Sequence, residues 1–121
     1  MRKLYHNGFD VSGGLEKSGS FAYVAVTTPF NAEVMIVAGG GGGGRAGGVP
    51  GNTAAGGGGA GGVYTGTITM GTGQFDITIG SGGDYPSNLD EAGGNGEDTI
   101  VSGSNLNIVA IGGGGGAATD S

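Results

Sequence analysis

Cysteine and tryptophan are both absent from this chain of 121 residues. Without cysteine there is no disulfide framework, no thiolate nucleophile and no thiolate-bound metal. Proline occurs only three times, which excludes collagen, whose triple helix needs glycine at every third position and abundant proline. No apolar run approaches the roughly 18 residues of a helical membrane span. The basic start, Met1-Arg2-Lys3, runs into Asn7-Gly8, and no apolar core of a secretory signal follows. Positive charge is scarce as well. Arg2, Lys3, Lys17 and Arg45 are the only cations, and from Ala46 onward seven acids meet no base. The net charge is −6. A duplex or an anionic membrane surface repels that half, so neither nucleic acid binding nor membrane insertion is expected.

Glycine fills the space these residues leave, at 34 positions. It comes in three blocks: Gly39, Gly40, Gly41, Gly42, Gly43 and Gly44; Gly56, Gly57, Gly58 and Gly59, continued after Ala60; and Gly112, Gly113, Gly114, Gly115 and Gly116. Between the blocks lie strand-sized runs of β-branched and aromatic residues. Six of them read as strands: Phe21–Val26, Glu33–Ala38, Val63–Met70, Gln74–Ile79, Thr99–Val101 and Leu106–Ile111. Gly71-Thr72-Gly73 reads as a hairpin connection between the third and fourth. Val34–Val37 and Ile108–Ile111 are continuously apolar, which predicts burial on both faces. No helical period survives, and glycine disfavours a helix by about 1 kcal/mol per position relative to alanine.

A glycine block serves either as a flexible tether or as an ordered element. Two of the blocks directly follow the most apolar strands, a poor place for a tether. The ordered alternative is an extended helix of three residues per turn, the polyproline II geometry. Lacking side chains, such helices pack side by side and bond backbone to backbone. Ordering costs about 1–2 kcal/mol per residue, so only a cooperative bundle offsets it. The fold expected is mainly β, with short antiparallel strands alternating with packed polyglycine helices and no α-helix. Residues 1–30 are expected to form an N-terminal docking segment and first strand, and residues 31–121 the glycine-rich domain.

The ordered set of motifs resembles the glycine-rich domain of bacteriophage tail-fibre and adhesin proteins. It comprises VMIVAGGGGGG at Val34–Gly44, GGGGAGGVYTGTI at Gly56–Ile68, FDITIGSGG at Phe75–Gly83, GGNGEDTIV at Gly93–Val101 and IVAIGGGGGA at Ile108–Ala117. The resemblance implies polyglycine helices packed beside short strands, on the outside of a virion. The expected function is non-enzymatic: a small accessory or capsid decoration protein, or alternatively a tail-fibre tip that binds a host-cell receptor. The expected partners are other virion proteins of capsid or tail, a host surface receptor, and further copies of the chain, as a trimer.

No cofactor is expected. The many GxGxxG windows carry no information in a chain this rich in glycine, and none is followed by a helix or by the GK[ST] of a phosphate loop. GGNGEDTIV fits the calcium nonapeptide GGxGxDxUx, but one copy leaves the coordination shell of calcium unfilled. The expected role is a glycine turn with Glu97 and Asp98 in solvent. His6 is the single histidine, too few for a transition-metal cluster or a triad. The paired carboxylates Asp90-Glu91 and Glu97-Asp98 lie among Gly, Asn and Ser, where water keeps them ionised. Tyr85, Pro86, Ser87 and Asn88, in the longest polar loop, are the candidate surface contact. Arg2, Lys3 and Lys17 are the candidate docking residues of an otherwise acidic chain.

Overall fold

The computed structural model describes residues 5–6, 9–10, 21–47 and 53–118. Among these there is no helix, and eight strands form two antiparallel sheets. They are β1 (Tyr5–His6), β2 (Phe9–Asp10), β3 (Phe21–Val26), β4 (Phe30–Val37), β5 (Val63–Met70), β6 (Gly73–Thr78), β7 (Thr99–Gly103) and β8 (Asn107–Ala110). One sheet has the order β1-β2-β3-β6-β7-β8, and the other is the pair β4-β5. The six strands expected from the sequence are all present, with ends displaced by a few residues.

The expected hairpin at Gly71-Thr72-Gly73 is not one. β5 pairs with β4 and β6 with β3, so this turn carries the chain from one sheet to the other. Gly73 has φ at 135°, a region closed to side-chain-bearing residues, and it starts β6 opposite Val26. The alternation of each strand then fills the space between the sheets. Val24, Val26, Ile68, Met70 and Phe75 form one buried cluster, and Ile36, Ala38, Val101 and Ala110 a second. Phe75 is fully buried, and its ring lies where a β-carbon of Gly103, its cross-strand partner, would stand.

The two continuously apolar runs are buried on one face only. Val34 and Ile36 turn inward, whereas Met35 is 70% exposed and Val37 47%. Ala110 is buried while Val109 and Ile111 face solvent. Both-face burial needs a further layer outside each sheet, and the described chain supplies none.

Past the strands, five glycine-rich segments bond to one another through their backbones. They span residues 38–45, 56–62, 80–84, 91–97 and 111–117. The spacing of the bonds is three residues throughout. N–H groups of Ala38, Gly41 and Gly44 donate to the carbonyls of Gly62, Gly59 and Gly56 in the second segment. Those of Gly39, Gly42 and Arg45 donate to Glu97, Gly94 and Glu91 in the fourth. Gly113 and Gly116 donate to Gly39 and Gly42, and Gly56, Gly59 and Gly62 donate to Ala117, Gly114 and Ile111. The first segment is bonded to all four others, which stack in two rows: second, first, third over fifth, fourth.

Glycine is required here for its missing β-carbon. Among the described glycines only Gly73 has φ in the left-handed region. A β-carbon on Gly41 would fall on the carbonyl of Gly114, on Gly42 against Asp84, on Gly58 against Gly41, and on Gly113 against Gly59. On Gly57 or Gly114 it would meet nothing within 4 Å. Every third position therefore faces out, and in the outer segments such positions take side chains, among them Ala60, Asn95, Ile111 and Ala117. We expect Gly41→Ala and Gly113→Ala to destabilise by about 1–3 kcal/mol through overpacking. Gly57→Ala and Gly114→Ala are expected to be neutral or to stabilise by up to about 1 kcal/mol. Urea denaturation of the four variants checks the pattern, and equal losses at all four would contradict it.

Candidate functional site

Strand direction decides where the loops gather. The first, third and fifth glycine segments leave β4, β6 and β8, and the second and fourth return into β5 and β7. All strands therefore sit at one end of the glycine stack. The turn at residues 84–91, residues 45–47 and 53–56, and Ala118 sit at the other. Two isolated bridges, Arg45 with Glu91 and Ala55 with Ala118, tie this tip together. Residues 48–52 lie outside the described residues.

The turn at 84–91 is held from inside by short polar contacts. The Arg45 guanidinium donates to the Ser87 carbonyl at 2.8 Å, and the Arg45 and Glu91 backbones exchange bonds at 2.9 and 3.2 Å. The Asn88 side-chain amide donates to the Glu91 carboxylate at 3.2 Å. Asp90, with φ at 57°, accepts from the Gly47 N–H, which fixes a left-handed residue that aspartate tolerates better than most. Of the four residues singled out by sequence, Pro86 is buried and pins the turn, while Ser87 and Asn88 are exposed. Tyr85 projects outward, 75% exposed. Leu89, 54% exposed, lies beyond that tetrapeptide and was not singled out by it. Its signal was an apolar residue stranded among Ser, Asn, Asp and Glu. Tyr85 and Leu89 are thus the two large exposed apolar side chains of a braced turn.

Side-chain oxygens of the fourth glycine segment and of Asp98 bond across to neighbouring segments. Glu97 accepts from the Ser81 hydroxyl at 2.9 Å, Asp98 from the Gly112 N–H at 2.7 Å, and the Asn95 amide oxygen from the Gly115 N–H at 2.8 Å. Asn95 and Asp98 are three residues apart, as are Gly112 and Gly115, so side-chain oxygens continue the backbone repeat. Among the described residues no group of three or more His, Cys, Asp or Glu side chains comes together. Arg2, Lys3 and Lys17 lie outside the described residues. The model of a family described as a glycine-rich domain matches residues 16–121. No curated protein and no solved structure matches the chain.

The side-chain bonds generate a prediction about the GGNGED turn. Asp98→Ala leaves the Gly112 N–H without its acceptor and is expected to cost about 1–3 kcal/mol. Calorimetry of the intact protein at millimolar calcium is expected to show no binding. Stoichiometric calcium uptake that disappears in Asp98→Ala would contradict this bonding role.

Proposed function

The chain belongs to the glycine-rich domain family, and from that premise we propose that it is a non-enzymatic display module on the surface of a bacteriophage particle. In this reading the five glycine segments are threefold polyglycine helices. Their shared bonds make a stiff stack, and its tip carries the turn with Tyr85 and Leu89. The order of the strand-and-glycine motifs supports the phage setting.

The observation that carries the reading is the polarity of the molecule. β2 pairs with β3 through Phe9 with Val26 and Asp10 with Ala25. That end of β3 lies opposite Gly73, away from Thr78 and the glycine stack that follows it. The N-terminal strands thus sit at one pole and the braced turn at the other. A basic N-terminal segment with Arg2, Lys3 and Lys17 would dock on other virion proteins, of capsid or tail, and leave the turn facing outward. This polarity favours a tip that contacts a host-surface receptor over a decoration protein that only covers the shell.

Both halves of the proposal are separable by experiment. The double variant Tyr85→Ala/Leu89→Ala is expected to leave the melting temperature within about 2 °C, since exposed positions change stability by at most about 0.5 kcal/mol. Adsorption of particles carrying it to host cells is expected to fall at least tenfold, as for loss of an aromatic anchor of about 1.4 kcal/mol or more. Unchanged adsorption at full incorporation would reject the contact role and leave decoration. Deletion of residues 1–12 is expected to abolish incorporation without loss of the far-ultraviolet circular dichroism of the domain. Normal incorporation would reject the docking role.

A further inference from the structure

β4 is an edge strand whose outer side is unfinished in three respects. Among the described residues it pairs with β5 alone. The bond from the Ala38 N–H to the Gly62 carbonyl, 2.9 Å, extends that ladder by one step and fixes its phase. Even-numbered residues of β4 are paired, and the backbone groups of Asn31, Glu33, Met35 and Val37 point to the open side. The Val37 carbonyl is taken by the Thr99 hydroxyl at 2.8 Å. Beneath the edge lies a cavity of about 650 Å³, lined by Ala32, Val34 and Ile36 and, across from them, by Ile77, Ile79 and Val101. It leaves Ala32 and Val34 only half-buried, although both face inward. On the other face Met35 and Val37 are exposed beside Val63, the cross-strand neighbour of Val37.

We propose that β4 pairs antiparallel with β4 of a second copy of this chain, about a twofold axis at Val34. A strand laid along this edge satisfies the free backbone groups and closes the cavity mouth with its inward side chains. It also widens the apolar outer face, so one partner answers all three deficits. β4 itself meets the demand, being apolar on the cavity side and carrying one charge.

Charge, proline and an occupied donor select the register: a twofold at Met35 would bring Asn31 opposite Gly39, whose N–H is already held by the Glu97 carbonyl at 3.0 Å. Outward-bonding residues must face one another, so odd positions meet odd positions. Glu33 opposite Glu33 would set two carboxylates side by side, which destabilises a strand pair. A shift that brings Met35 opposite Pro29 loses a bond, because proline has no N–H. Centring on Val34 brings residues 31–37 opposite residues 37–31, places Glu33 opposite Met35 of the second copy, and sets the Asn31 N–H against the second lone pair of the Val37 carbonyl, beside the Thr99 hydroxyl. Val34 then faces its own counterpart in a non-hydrogen-bonded pair, with Cα atoms about 4.5 Å apart, within reach of a disulfide. Such a pair is twofold, unlike the trimer expected from sequence, and it does not depend on where the module is displayed.

The cysteine-free chain makes the test clean. In the full-length protein, Val34→Cys is expected to give a disulfide-linked dimer under mild oxidation, and Thr67→Cys on β5 to stay monomeric. Met35 is exposed, so its charge variants spare the fold. Met35→Glu is expected to weaken the dimer about tenfold by sedimentation, because like charges then oppose at two symmetric places. Met35→Lys, opposite Glu33, is expected to hold the dimer or tighten it. Equal weakening by both charges, or equal cross-linking at positions 34 and 67, would overturn the register. A protein monomeric at all concentrations would overturn the proposal. That result, with Met35→Glu lowering the melting temperature, would assign the edge to residues 11–20 of the same chain. Without that lowering it would assign the edge to a different protein.

Discussion

The structure depends on backbone carbonyls approaching a neighbouring backbone so closely that no β-carbon fits between them. At Gly41, Gly42, Gly58 and Gly113 the space a side chain would enter is already held by the peptide group of another segment. Each such approach is part of a hydrogen-bonded contact between segments distant in sequence. Glycine loses the most conformational entropy on ordering, so isolated segments of this composition would stay disordered. The short sheets change that balance. They hold the ends of all five segments in register, and every bond made adds to a framework already fixed.

The sheets and the glycine stack therefore support each other. The core between the sheets is small, two clusters around Phe75 and around Ile36, Val101 and Ala110. The stack continues the ladders of the sheets: Ala38 still bonds to Gly62 one step past the last β4–β5 pair. Thr99, the one buried polar residue among those described, joins the two parts. Its hydroxyl donates to the Val37 carbonyl and accepts from the Gly80 N–H at 3.0 Å.

Much of this was legible in the sequence. The strands were marked by β-branched runs, and the glycine blocks by their position directly after apolar strands. The unbroken run Gly39–Gly44 belongs to the segment bonded to all four others, and the interruption at Ala60 falls on an outward position. Two features were hidden. The third and fourth segments, GSGGD and EAGGNGE, hold so few consecutive glycines that they read as loops, and only the three-residue spacing places them in the stack. The turn at Gly71–Gly73 looked like a hairpin because local sequence does not reveal which sheet a strand joins. Of the candidate contact, Tyr85 was visible as an aromatic residue in a polar loop. Arg45 and Leu89 were not, since one braces that loop from 42 residues away and the other lies outside the tetrapeptide.

Residue-resolved amide exchange along the first glycine segment tests the threefold bonding most directly. The N–H groups of Gly39, Gly41, Gly42 and Gly44 have carbonyl acceptors, whereas those of Gly40 and Gly43 have none among the described residues. The account predicts slow exchange at the first four and fast exchange at the other two, in a repeat of three. Uniform exchange across Gly39–Gly44, whether fast or slow, would contradict it.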